Sequence, residues 1–210
     1  MIAPAITFDP EDEDYCIVPG RGRVRRWHKV ARDAGLVEPI SELAYERVTN
    51  AKHRGRQVHE AIEWFLTGRA FDPQDLEDES LPYLQAFLDY WVKHGELLVE
   101  VETPIYCAEL DFCTTPDFRT RDCVHEIKTT SDRAQIWGLQ TAAQQIAAGT
   151  LSRRVIWLRP KLKTRKVDVI NGGRLGGTHD VFHYLDFDVV HEACRGEYDG
   201  PAITAWKALR

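Results

Sequence analysis

The clearest pattern along the chain is the helical spacing of apolar positions in RGRQVHEAIEWFLTG. Val58, Ala61, Ile62, Phe65 and Leu66 fall on one face there, and Gly68 supplies a stop. The helical pattern begins near Ser41, whose hydroxyl suits an N-cap. LPYLQAFLDYWVKHG repeats the logic, with Leu84, Phe87, Leu88 and Trp91 at helical spacing and Gly95 at the end. Beyond Gly95 the texture changes to short β-branched and aromatic runs broken by Pro104 and Pro116, which predicts a three-stranded antiparallel meander. SDRAQIWGLQTAAQQIAAG predicts a further helix, begun by Ser131 or Asp132 and closed by Gly149, with Ile136, Leu139, Ala143, Ile146 and Ala147 inward. RRVIWLRP then reads as a short apolar strand. The first 40 residues mix Pro, Gly and charge, so they read as an irregular arm with a short helix around Trp27 to Ala34.

Composition narrows the picture. At 210 residues with 43% apolar content, the chain suffices for one core, and a single domain with decorations is expected. No run approaches the length of a membrane span, and MIAPAITFDPEDED lacks both a basic and an apolar leader region. A cytoplasmic protein with no membrane partner is the expectation. Five cysteines with no C-x-x-C spacing read as thiols rather than as a disulfide frame or zinc site. The net charge of −6 excludes a protein that coats nucleic acid non-specifically, since that mode needs many Lys and Arg contacts to phosphate. Base is nonetheless concentrated in Arg21 to Lys29 and in Arg153 to Lys166, so local basic surfaces are compatible with an acidic total.

The segment PDFRTRDCVHEIK carries the candidate chemistry. Read as a hairpin with Arg121 and Asp122 in the turn, it sets Asp117 directly opposite Glu126. Strand side chains alternate, so Glu126 and Lys128 share that face while His125 and Ile127 point away. An E-I-K tripeptide alone is an ordinary ion pair on a solvated strand. An opposed aspartate changes the reading, because two facing carboxylates repel unless a cation or proton lies between them. A hard divalent ion, Mg2+ or Mn2+, suits such oxygen ligands.

These residues resemble the PD-(D/E)xK nuclease superfamily, and within it the RecB-like and phage exonuclease branch. The matching residues are Pro116-Asp117, Glu126-Ile127-Lys128, an upstream G-x-x-x-H in Gly55 to His59, and a downstream Q-x-x-x-Y begun by Gln140. The tyrosine position of that last motif holds Gln144, a departure from the pattern. The resemblance spans residues 52–158, leaving 1–40 as an N-terminal arm and 159–210 as a C-terminal extension of one nuclease domain. It implies an α/β fold with a restriction-endonuclease-like core, a central mixed sheet flanked by helices.

The resemblance further implies hydrolysis of DNA phosphodiester bonds. His59, Asp117, Glu126 and the Ile127 carbonyl would hold Mg2+ or Mn2+, while Lys128 and Gln140 would complete the catalytic set. His59 lies along a stripe with Gly55, Ile62 and Leu66, at the border of the apolar face of its helix. Glu102 stands in the strand before the hairpin, where the family sometimes places an acidic residue, although a solvent-facing position is the expectation. Relatives with an Fe–S cluster carry a late cysteine triplet that is missing here, so no cluster is expected. DNA is the implied partner, with a helicase or a single-strand annealing protein as protein partners. Arg21, Arg23, Arg25, Arg26, Lys161, Lys163 and Arg165 are the candidate phosphate contacts, and Trp27 or Trp137 the candidate base-stacking rings. A catalytically silent nuclease-fold DNA-binding or assembly protein is the alternative. A metal-dependent hydrolase of a small phosphorylated substrate is a third reading.

Overall fold

Short β-branched runs near the N-terminus pair instead of forming an irregular arm. In the computed structural model, which describes residues 5–36, 45–72, 75–95, 97–130, 136–159, 182–186 and 208, β1 (Thr7–Phe8), β2 (Tyr15–Val18) and β3 (Gly22–Arg25) form an antiparallel sheet. Strands of two to four residues are too short to show a period in sequence, which is why composition alone suggested a loop. The predicted short helix follows as α1 (Trp27–Asp33).

The two long apolar periodicities become α2 (Tyr45–Thr67) and α3 (Leu81–His94). Gly68 ends α2 with φ of +69°, a left-handed conformation that costs glycine least. Ser41, the expected N-cap, lies outside the described residues.

The predicted meander contains five strands, β4 (Leu98–Val101), β5 (Ile105–Cys107), β6 (Phe112–Thr114), β7 (Phe118–Thr120) and β8 (Cys123–Lys128). Only β4, β7 and β8 form the expected antiparallel three. β5 and β6 make a separate two-stranded sheet between them in sequence, against which the N-terminal sheet packs Cys16, Val18 and Val24 around Cys113. α4 (Ile136–Ala148) then carries the chain over to β9 (Ser152–Leu158), which runs parallel to β8. Parallel neighbours require such a crossover. β10 (Phe182–Asp186) adds antiparallel to β9, giving the order β10-β9-β8-β7-β4.

The fold is thus mixed α/β, with a central mixed sheet flanked by helices, as expected. Val58, Ala61 and Ile62 of α2 and Leu84, Phe87 and Tyr90 of α3 pack with Phe118, Ile127, Ile156 and Leu158. On α4, Trp137 meets Val155 and Trp157, while Ala142 and Ala143 meet Trp27, Val30, Cys107 and Phe112. β8 is buried along almost its whole length, with His125 and Glu126 among its covered residues.

α4 departs from its expected orientation. Thr141 and Gln144 are buried beside Trp137, Ala142 and Ala143, whereas Ile136, Leu139, Ile146 and Ala147 are only partly covered. Polar side chains can occupy the inward stripe when partners satisfy them. Thr141 does so by donating to the Trp137 carbonyl at 2.8 Å, and Gln144 through a residue of the site below. Trp27 and Trp137, offered above as base-stacking rings, are core residues at 8% and 4% exposure. Among the described residues no helix is long and apolar enough to cross a membrane.

Candidate metal centre and active site

The β7–β8 register pairs Phe118 with His125 and Arg119 with Val124. One step beyond the ladder, Asp117 stands opposite Glu126, as the hairpin reading requires. Both carboxylates are buried. Asp117 accepts the backbone N–H of Ile127 on Oδ2, which ties the end of β7 to β8. In extended backbone the N–H and C=O of one residue point to the same side, so the Ile127 carbonyl also faces the Asp117 side of β8. Its side chain points into the core, 1% exposed.

Lys128 shares the Glu126 face through the two-residue period of the strand. Its Nζ donates to Glu126 Oε1 at 2.7 Å and to Gln140 Oε1 at 2.8 Å. Gln140 in turn donates from Nε2 to Glu126 Oε1 at 2.6 Å, closing a three-membered network between β8 and α4. Gln144, one turn further along α4, donates to Glu126 Oε2 at 2.7 Å.

α2 delivers His59. Its Nδ1 lies 2.9 Å from Asp117 Oδ1. The glycine one turn earlier explains how the helix comes so near, because a Cβ on Gly55 would stand 3.3 Å from Thr129 Oγ1 at the end of β8. The sequence stripe Gly55–His59 is therefore one face of a helix pressed against the edge of the hairpin.

Glu102 corrects the sequence reading. It was expected to face solvent on its strand, yet it lies just past the end of β4 with φ of +46° and donates its backbone N–H to the Asp117 carbonyl at 3.0 Å. The turned backbone aims its side chain inward, and His59, Glu102 and Asp117 offer ligand atoms that all lie within 4.8 Å of one another. Non-glycine residues at positive φ are uncommon and costly, and cluster at functional sites. The signal available in sequence was the resemblance noted above, outweighed there by the ordinary expectation that an acidic strand residue faces solvent.

Electrostatics describe a site crowded with negative charge. Burial and the neighbouring Asp117 push the Glu102 carboxyl up to about 10. Burial and Asp117 likewise raise Glu126 above its ordinary range. Burial also opposes the charge on Asp117, but the His59 ring, Lys128 and the Ile127 N–H outweigh it and hold that carboxyl low. For His59, burial favours the neutral ring, and the Asp117 carboxylate overcomes this to raise it above its ordinary value. Three carboxyls crowded together, two of them raised by burial and by their neighbour Asp117, make the electrostatic condition a bound cation relieves. With imidazole nitrogen and carboxylate oxygens as donors, the set fits a divalent cation.

Three of the four candidate phosphate contacts of the N-terminal segment are ion-paired with acids of the chain itself. Arg21 pairs with Asp111 at 2.7 Å, Arg23 with Asp9 and Asp12 at 2.6 and 3.0 Å, and Arg25 with Asp33 at 3.6 Å. Arg26 donates to the Glu13 carbonyl and lies over the Phe8 ring. Lys161, Lys163 and Arg165 lie outside the described residues. Cys16, Cys107, Cys113 and Cys123 are buried thiols on β2, β5, β6 and β8, and Cys194 lies outside the described residues.

No family model matches the chain, and no curated protein matches it. Among solved structures the chain is similar to an alkaline exonuclease, LHK-Exo, from Laribacter hongkongensis, at 18% identity and a TM-score of 0.36, over 74% of this chain and 78% of that one. A structure of LHK-Exo in complex with dAMP gives 16% identity and a TM-score of 0.39, over 89% of this chain and 87% of that one.

Proposed function

We propose that the chain is a Mg2+- or Mn2+-dependent deoxyribonuclease of the PD-(D/E)xK kind, an exonuclease of recombination, repair or phage DNA processing. The observation that carries this reading is the convergence of His59, Glu102 and Asp117 within 4.8 Å, beside a Glu126 already joined to Lys128 and Gln140. His59, Glu102, Asp117, Glu126 and the Ile127 carbonyl would hold the ion. A bound divalent ion supplies positive charge against the phosphodiester and makes an attacking water more acidic.

The chain's own residues do the rest. Lys128, held between Glu126 and Gln140, presents its ammonium where charge develops on the phosphate oxygens. Gln140 fixes that ammonium through Oε1 and the Glu126 carboxylate through Nε2, so one amide orients both. His59 and the Ile127 N–H occupy opposite oxygens of Asp117 and fix its plane. DNA is the proposed partner, with a helicase or single-strand annealing protein alongside.

The test is incubation of the purified chain with linear and circular, single- and double-stranded DNA in Mg2+, Mn2+ or EDTA. Degradation of linear DNA that depends on the metal and spares closed circles supports the reading. Equal loss of DNA in EDTA, or none under any condition, overturns it.

A further inference from the structure

Gln140 and Gln144 stand one turn apart on α4, and both amides end on Glu126. Gln144 is fully buried. Its Nε2 carries two hydrogens, and two acceptors receive them, Glu126 Oε2 at 2.7 Å and the Thr115 carbonyl at 3.3 Å. Thr115 leads through Pro116 into Asp117. One amide nitrogen therefore joins the segment that delivers Asp117 to the carboxylate of Glu126. The reverse amide rotamer would set oxygen against oxygen, so the carboxylate dictates the orientation.

Glu126 Oε1 already accepts two bonds, from Lys128 Nζ and Gln140 Nε2. An ionised carboxylate has about four lone-pair sites, two on each oxygen. Oε1 is thus filled, and Oε2 keeps one site beside its bond from Gln144. We propose that Gln144 is a positioning residue which, with Gln140, caps Glu126 so that the carboxylate presents one lone pair on Oε2 to a single divalent cation shared with Asp117. This rests on reading the site as a metal centre. A tyrosine at this position would bring one O–H donor and could serve Glu126 or Thr115 but not both. The departure from the motif is then a working replacement, with an amide that spans two acceptors.

The test is calorimetric titration of Mn2+ into the full chain as wild type, Gln144→Met and Gln144→Asn, together with cleavage kinetics and melting temperatures. Wild type should take up one ion per chain. Gln144→Met keeps the length of the side chain but donates nothing. It should bind Mn2+ roughly 10- to 100-fold more weakly and lose kcat by a similar factor, with KM for DNA unchanged. A residue that only fills space would change the melting temperature and leave the Mn2+ Kd and kcat alone, and that result overturns the proposal. So does uptake of two ions through Glu126 in wild type. Should Gln144→Met not fold, Gln144→Asn keeps a polar group inside and reaches only one of the two acceptors, so wild-type Mn2+ affinity in that variant also overturns the proposal. Wild type that binds no Mn2+ removes the metal-centre reading and this one with it. Wild type that binds, with variants unchanged, removes this one alone.

Discussion

His59 Nδ1 lies 2.9 Å from Asp117 Oδ1, joining a helix and a hairpin that are 58 residues apart in the chain. The contact holds the two elements together, and it couples the site to pH. With His59 raised above its ordinary value by the Asp117 carboxylate, the ring keeps its proton to higher pH than a free imidazole does. A ring that must ligate has to lose that proton, so Mn2+ affinity should rise as pH climbs through the raised value. His59→Ala should raise the Mn2+ concentration needed for DNA cleavage and recover partly at saturating metal, whereas Asp117→Ala should recover far less. Metal titrations of activity at several pH values measure this. Unchanged metal dependence in His59→Ala would reduce the residue to helix packing.

Loss of any member of the hairpin set should abolish cleavage while leaving the protein folded. Asp117→Ala, Glu126→Ala and Lys128→Ala should each show it, because groups that act as one unit fail together. Mn2+ should raise the melting temperature of wild type through linkage and leave that of Glu126→Ala unmoved. Wild-type cleavage by two of the three variants would sink the assignment of the site.

Glu102 offers a separate stability test. Its carboxyl is pushed up to about 10, from an ordinary value of 4.5, by burial and by Asp117. A folded-state value above the unfolded one means the native protein binds the extra proton, so this contribution is complete below 4.5 and is lost as pH rises through about 10. The metal-free melting temperature should therefore fall from pH 5 toward pH 9, and Glu102→Gln should flatten that fall. The same variant should weaken Mn2+ binding by about tenfold or more, since it loses a charged ligand. A Glu102→Gln variant with wild-type Mn2+ affinity would place this carboxyl outside the metal set.

His125 contributes on the acid side. It stacks on Phe118 with ring centroids 4.3 Å apart, and burial, with Arg154 nearby, lowers it to about 3. Here the unfolded chain binds the extra proton. Stability from the neutral ring is thus complete above the ordinary value of 6.5 and drains away as pH falls toward 3. His125→Phe, which keeps an aromatic partner for Phe118, should melt with a shallower loss between pH 6.5 and pH 4. An acid arm identical to that of wild type in a thermal scan series would show that another group drives the transition.

The hairpin register was readable because it is local. A two-residue turn between Arg121 and Asp122 dictates which residues oppose, so Asp117, Glu126 and Lys128 converge without help from the rest of the chain. α2 was readable for a similar reason, since the 3.6-residue period sets Gly55 and His59 on one stripe and binds that stripe to the apolar face beside it. Glu102 was raised only by the resemblance and not by the pattern of its own segment. Its place depends on β4 pairing with β7 across the inserted β5–β6 hairpin and on one residue at positive φ, and neither leaves a periodic trace. The same holds for Gln144, since a polar residue on an inward stripe looks misplaced until its acceptors arrive from β8 and the Thr115 segment. For the basic run from Arg21 to Arg26, sequence displays the charge but not the counter-charge. Folding brings Asp9, Asp12, Asp33 and Asp111 against it. Sequence determined the residues that local geometry alone brings together. The tertiary structure decided which distant groups surround them, because long-range pairing and burial assign a side chain its neighbours, and neighbours assign it its charge.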